Sequence, residues 1–145
     1  MRCPRVSSSA IATALALVGS VTLCATPEWR LLYDSAYAKA ELDVANIQRL
    51  PTGRYLVTQR TIFKQPVPAW PPAADCLGCP LSSVLVKKAT FWIEVDCAQK
   101  TGALRRTAIF DSENSTSPVA EGDEPSVVFR PAIREDEPMF LATCK

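Results

Sequence analysis

The stretch FWIEVDCAQKTGALRRTAIFD, Phe91–Asp111, decides how this chain folds. Phe91, Ile93, Val95 and Cys97 alternate with Trp92, Glu94 and Asp96, the period-2 signature of a strand with two unlike faces. AQKTGA carries turn residues, and LRRTAIFD resumes the strand pattern. Two strands separated by so short a connection must be antiparallel neighbours, because a parallel return needs a crossover of a dozen residues or more. This hairpin is the seed of an antiparallel sheet.

Reading outward extends it. RYLVTQRTIF is rich in β-branched and aromatic residues and puts Tyr55, Val57, Thr61 and Phe63 on one side. AYAKAELD aligns Ala38, Ala40 and Leu42, and EWRLLYDS aligns Trp29, Leu31 and Tyr33. VANIQRL suits a helical turn as well as a strand, and LPTG is a turn. In SSVLVKKATFW the apolar phase of Val84 and Val86 does not match that of Phe91, which calls for a bulge near Lys87 to Ala89. SENSTSPVAEGDEP reads as an acidic loop, and SVVFRPAI as a short strand ended by Pro131. In REDEPMFLATCK three acidic residues precede Pro138 where a helix N-terminus favours negative charge, and Phe140 and Cys144 share a face. A terminal strand is the alternative there. No helical pattern falls between the strands. The fold class expected is therefore α+β, a single antiparallel sheet of five to six strands with a short C-terminal helix.

The 145-residue chain suits one domain, and residues 1–25 stand apart from it. Arg2 and Arg5 precede an apolar run from about Ala10 to Leu23, and small residues follow. That order matches a secretory signal peptide, with cleavage expected after Ala25 and Ser20 as the alternative site. The run is too short for a membrane span. A competing lipoprotein signal would lipidate Cys24 and supply the only membrane attachment expected, although Leu23 stands where that signal takes a small residue. The domain is then 26–145. Of 16 basic and 15 acidic residues, loss of Arg2 and Arg5 leaves 14 against 15, which removes the electrostatic basis for binding nucleic acid.

Residues 64–82 contain five prolines and the pair Cys76 and Cys79 in DCLGCP, and are expected to form an irregular loop. C-x-x-C in a thiol–disulfide enzyme sits at a helix N-terminus, which lowers the thiol pKa. Here Pro80 follows directly and no amphipathic helix begins, so a thiol–disulfide centre is not expected. The mature chain keeps four cysteines, with Cys97 and Cys144 the others, and an exported chain with an even number is expected to form disulfides. Four cysteines allow three pairings, and their positions do not choose among them.

The chain has no histidine. The usual hydrolytic triads and cysteine–histidine dyads are excluded, and no phosphate-binding loop is present. No catalytic residue, metal or cofactor is assigned. Asn114-Ser115-Thr116 matches a glycosylation sequon and reads as ordinary loop sequence. Lys87–Lys88 and Arg105–Arg106 are the strongest basic doublets, and the hairpin would make them neighbours. With Trp70 in the proline-rich loop, they are the candidate surface for a protein or acidic-polymer ligand.

The order Trp29, ELDVANIQRL, FWIEVDCAQ and VVFRPAI…FLATC resembles the surface-adhesin protein E family of small exported bacterial proteins, across most of residues 28–145. The resemblance implies an antiparallel sheet with a C-terminal helix, and Cys97–Cys144 as the disulfide tying one to the other. It implies an exported protein of the periplasm or outer-membrane surface that binds host matrix or serum proteins and can form a homodimer. The loop carrying Cys76 and Cys79 has no counterpart in that pattern, and with Cys97 paired to Cys144 these two are expected to close a local disulfide clip at its tip. A periplasmic accessory role without a host ligand is the alternative.

Overall fold

In the computed structural model, residues 25–69 and 84–144 are described. Residues 1–24, which hold Cys24 and most of the expected signal peptide, and the loop residues Trp70, Cys76 and Cys79 lie outside them. One antiparallel sheet carries the fold: β1 Trp29–Asp34, β2 Ala38–Asp43, β3 Gln48–Arg49, β4 Tyr55–Pro68, β5 Leu85–Asp96, β6 Thr101–Phe110, β7 Ala120–Asp123 and β8 Arg130–Pro131. The spatial order is β1-β2-β4-β5-β6-β7, with β3 beside β4 and β8 beside β6. One helix, α1 Glu137–Thr143, follows a 3₁₀ turn at Arg134–Asp136. The expected class and helix hold; the strand count is eight, not five to six.

The additional strands are short. β3 and β8 are two-residue bridges, and β7 forms inside the stretch expected to be an acidic loop. β7 exists because the β6 edge needs partners: Arg106 to Ile109 pair with Asp123 to Ala120. SVVF is correspondingly not a strand, and Val127 and Val128 stay exposed.

The proline-rich segment is the second correction. β4 runs on through Lys64–Pro68 instead of stopping at Phe63. β2 pairs no further than Ala38 with Phe63, so beyond that point β4 has a neighbour on one side only, β5. Lys64 N–H still reaches back to the Tyr37 carbonyl, and Ala69 N–H donates to Val84 on the β5 side. Strand alternation therefore turns the nitrogens of Pro66 and Pro68 to the open side, where no donor is needed. The phase change in β5 is real, but the irregularity lies on β4, where Ile62 pairs with Lys88 and Val67 with Val86. β1 carries a bulge between Leu31 and Tyr33, so Tyr33 leaves the face shared by Trp29 and Leu31.

Ala38, Ala40 and Leu42 are buried on one face, as the alternation requires, and the register brings Val57 of β4 and Val95 of β5 onto the same face. Met139, Phe140 and Ala142 of α1 close over Leu42, Val57 and Val95. α1 thus lies across the end of the sheet where β2 and β5 finish and β1, β4 and β6 begin. Pro138 is its second residue, where a missing N–H costs nothing. Cys144, just past the helix, is bonded to Cys97, just past β5, with Cα atoms 5.5 Å apart. This is the pairing the family resemblance implies.

Candidate interaction surface

The hairpin register separates the basic doublets. The turn pairs Asp96 with Thr101, and a one-residue bulge at Arg105, between the Ile93–Leu104 and Trp92–Arg106 pairs, shifts the register so that Arg106 lies opposite Trp92 and Lys88 opposite Phe110. The doublets are not neighbours. Alternation splits Lys87 from Lys88, whereas the bulge leaves Arg105 and Arg106 both against β5 residues of one face, Glu94 and Trp92. Lys87 Nζ donates to the Lys64 carbonyl. Lys88 lies over the Phe110 ring at 4.3 Å and donates to the carbonyls of Glu113 and Ser115. Burial, then the nearby Arg60 charge, lowers its pKa. Arg106 stacks on Trp92 and pairs with Glu121 at 2.8 Å. Arg105, the most exposed of the four, approaches Glu94 at 3.4 Å.

The same arrangement recurs across this face. Arg60 stacks on Trp29 at 4.0 Å and pairs with Glu41. Arg54 stacks on Phe129 at 4.3 Å and bridges Glu94 and Asp96. Lys88, Arg106, Arg60 and Arg54 each have a ring against them and a carboxylate or carbonyl on the polar end. A face built this way holds its strands in register and has few cations free for a polyanion.

The Asp96 carboxyl lies below its ordinary value of 3.8, chiefly because the Gln99 N–H bonds it and secondly through Arg54. A depressed folded-state pKa adds stability above the ordinary value, and that stability is lost as pH falls through the folded one. Asp96→Asn should therefore be less stable than the parent at pH 7. The difference should shrink progressively as pH falls below about 4. Urea midpoints measured across that range check it.

Unengaged groups gather elsewhere, at the junction of β1 and α1. β1 ends the sheet, and among the described residues nothing pairs with its outer side. Val44 N–H donates to the Glu28 carbonyl and Arg30 pairs with Leu42, so Glu28 and Arg30 face β2. Alternation turns the N–H and C=O of Trp29 and Leu31 outward. Leu31 is 55% exposed and Tyr33 39%, with Tyr37 at 83% in the following turn.

Beside this edge is a cleft of about 560 Å³, lined by Glu28, Trp29, Arg30, Val44, Ile47 and the α1 residues Ala142 and Thr143. Its geometry comes from Asp43, buried at 4% exposure. The carboxylate accepts Glu28 N–H at 3.1 Å, Ala45 N–H at 3.2 Å and the Asn46 amide at 2.7 Å. Asn46 also donates to the Ala25 carbonyl. The segment before β1 and the turn after β2 are thereby fixed to one side chain. Thr143 is buried at 6% exposure, and its hydroxyl has no hydrogen-bond partner. Glu28 and Arg30 are exposed at the rim and take part in no ion pair among the described residues.

Sequence reasoning did not find this cleft. Its lining comes from three segments far apart in the chain, and only the strand order and the disulfide bring them together. ELDVANIQRL, quoted for the family resemblance, does contain its organising residue. A second cleft of about 380 Å³ lies beside the disulfide, between Lys100, Ala132, Ile133 and Leu141. Among the described residues no group of three or more histidine, cysteine or acidic side chains could hold a metal, and no helix is long and apolar enough to cross a membrane. No family model, curated protein or solved structure matches the chain.

Proposed function

We propose that this is an exported, non-enzymatic binding protein of the bacterial envelope, adhesin-like in the manner of the surface-adhesin protein E family it resembles. The observation that supports this is the open β1 edge with its exposed Leu31 and Tyr33 beside the α1 cleft. Apolar residues at an unpaired sheet edge are a liability unless a partner uses them. The charged face of the sheet is a weaker candidate, because Lys88, Arg60 and Arg106 are already stacked and bonded. Host matrix and serum proteins are the ligand class by family resemblance. Lipidation of Cys24 would hold the protein at the membrane.

The test immobilises matrix and serum proteins and passes the purified protein over them. Saturable binding at micromolar concentration or below is expected. Leu31→Lys should weaken it at least about tenfold, and Lys87→Ala with Arg105→Ala by no more than about twofold. Absence of binding to every protein tested would sink the adhesin reading. Protease treatment of intact cells then places the protein: cleavage only after permeabilisation would put it in the periplasm, in an accessory role.

A further inference from the structure

We infer that the β1 edge takes an extended peptide from its partner as an added strand, and that the cleft between β1 and α1 receives a side chain or chain end of that peptide. The inference rests on the binding function proposed above and names the chemistry of the partner.

Four features converge on this occupant. The outward N–H and C=O of Trp29 and Leu31 offer the alternating donors and acceptors that only another strand can match in series. The cleft opens at the start of that edge, so a strand laid along β1 runs directly into it. Thr143 lines the cleft, and its hydroxyl is buried with no partner in the protein, so turning its side chain toward a bound ligand would break no hydrogen bond. Buried polar groups in folded proteins nearly always have partners, so an orphan lining a cleft marks where a ligand group would bond. Finally, the rim carries one cation, Arg30, and one anion, Glu28. A polyanion or an anionic membrane would call for one sign; a polar, amide-rich chain suits both. The β1 bulge between Leu31 and Tyr33 limits the addition to the first half of the strand, next to the cleft.

Thr143→Val separates recognition from stability. Replacing an unpartnered buried hydroxyl with a methyl of similar size should leave the melting temperature equal or higher. If the hydroxyl bonds the ligand, the same change should weaken binding about three- to tenfold. A variant that is more stable yet binds worse is not expected of a purely structural threonine.

The probe is a phage-displayed library of random dodecapeptides selected on the full protein. Selected peptides should slow hydrogen exchange at the amides of Trp29 and Leu31 and lose affinity for Thr143→Val. Leu31→Pro, which removes an outward N–H that an edge strand can spare, should abolish their binding. Should that variant fail to fold, the exchange data and Thr143→Val still decide. Recovery of no peptide overturns the inference, and so does protection confined to other strands or full binding to Thr143→Val. Should matrix proteins still bind the protein after such a result, only the strand-addition mode falls and the binding function stands.

Discussion

Cys144→Ser should lower the stability of this protein by about 4 kcal/mol, which for a domain of this size lowers the melting temperature by on the order of 15 °C. Cys97 and Cys144 are 47 positions apart. Cross-linking them removes much of the conformational freedom of the unfolded chain, and that entropy returns when the bridge is absent. Little else retains α1. It is seven residues long, too short to persist alone in water, and its own bonds to the sheet are apolar contacts of Met139, Phe140 and Ala142. Loss of the bridge should therefore loosen the helix before the sheet melts, exposing Leu42, Val57 and Val95. Reduction of the parent with dithiothreitol should reproduce the effect. Cys76→Ser, which opens an expected clip of four residues, should cost only about 2 kcal/mol. Chemical unfolding of the two variants, with amide exchange at Met139 to Ala142, makes the comparison. An equal or reversed ranking would show that loop-closure entropy is not what the bridge contributes.

The parts of the fold legible in the sequence are those where one physical requirement acts alone. Ala38, Ala40 and Leu42 alternate because one face of β2 is buried, and all three are. The Phe91–Asp111 hairpin follows from its turn. Where two requirements compete, the sequence is ambiguous. Pro66 and Pro68 suggest a loop, yet β4 includes them because β2 has already ended and their nitrogens meet no acceptor. Leu32 is an extra residue in β1, and no period-2 pattern marks a bulge whose displaced side chain packs into the core. The site is less legible again. Lys88 and Arg106 look like a basic patch in one dimension, because the groups that engage them come from other strands and turns: Phe110 of β6 and the 113 and 115 carbonyls for Lys88, Trp92 of β5 and the Glu121 carboxylate of β7 for Arg106. An unpaired edge has no local signature at all, since it depends on which strand comes last in space and not in sequence.

Asp43 is the place where stability and the candidate site meet, and Asp43→Ala should cost about 3 kcal/mol. One carboxylate, almost fully buried, accepts three N–H donors from Glu28, Ala45 and Asn46. Bonds to a charged acceptor contribute about 1.5–3 kcal/mol each before solvent competes for the freed donors, and Glu28 and Asn46 are near enough to the surface to recover part of that from water. A small side chain in place of buried Asp43 also leaves a void that the rigid strand pair cannot close. Asp43→Asn should cost less, about 1–2 kcal/mol. Its remaining oxygen can still accept the Glu28 and Ala45 N–H groups, while its new NH₂ faces the Asn46 amide donor. The position of the loss matters as much as its size. With the clamp gone, Glu28 and the start of β1 should exchange amide protons faster while β4 to β6 stay protected, because the central strands carry their own ladder. Ligand affinity should then fall in Asp43→Ala even at temperatures where the protein is fully folded, since the edge and the cleft it adjoins no longer hold one geometry. Uniformly faster exchange across the whole sheet would instead mean that Asp43 supports global stability alone, with no special hold on the β1 edge.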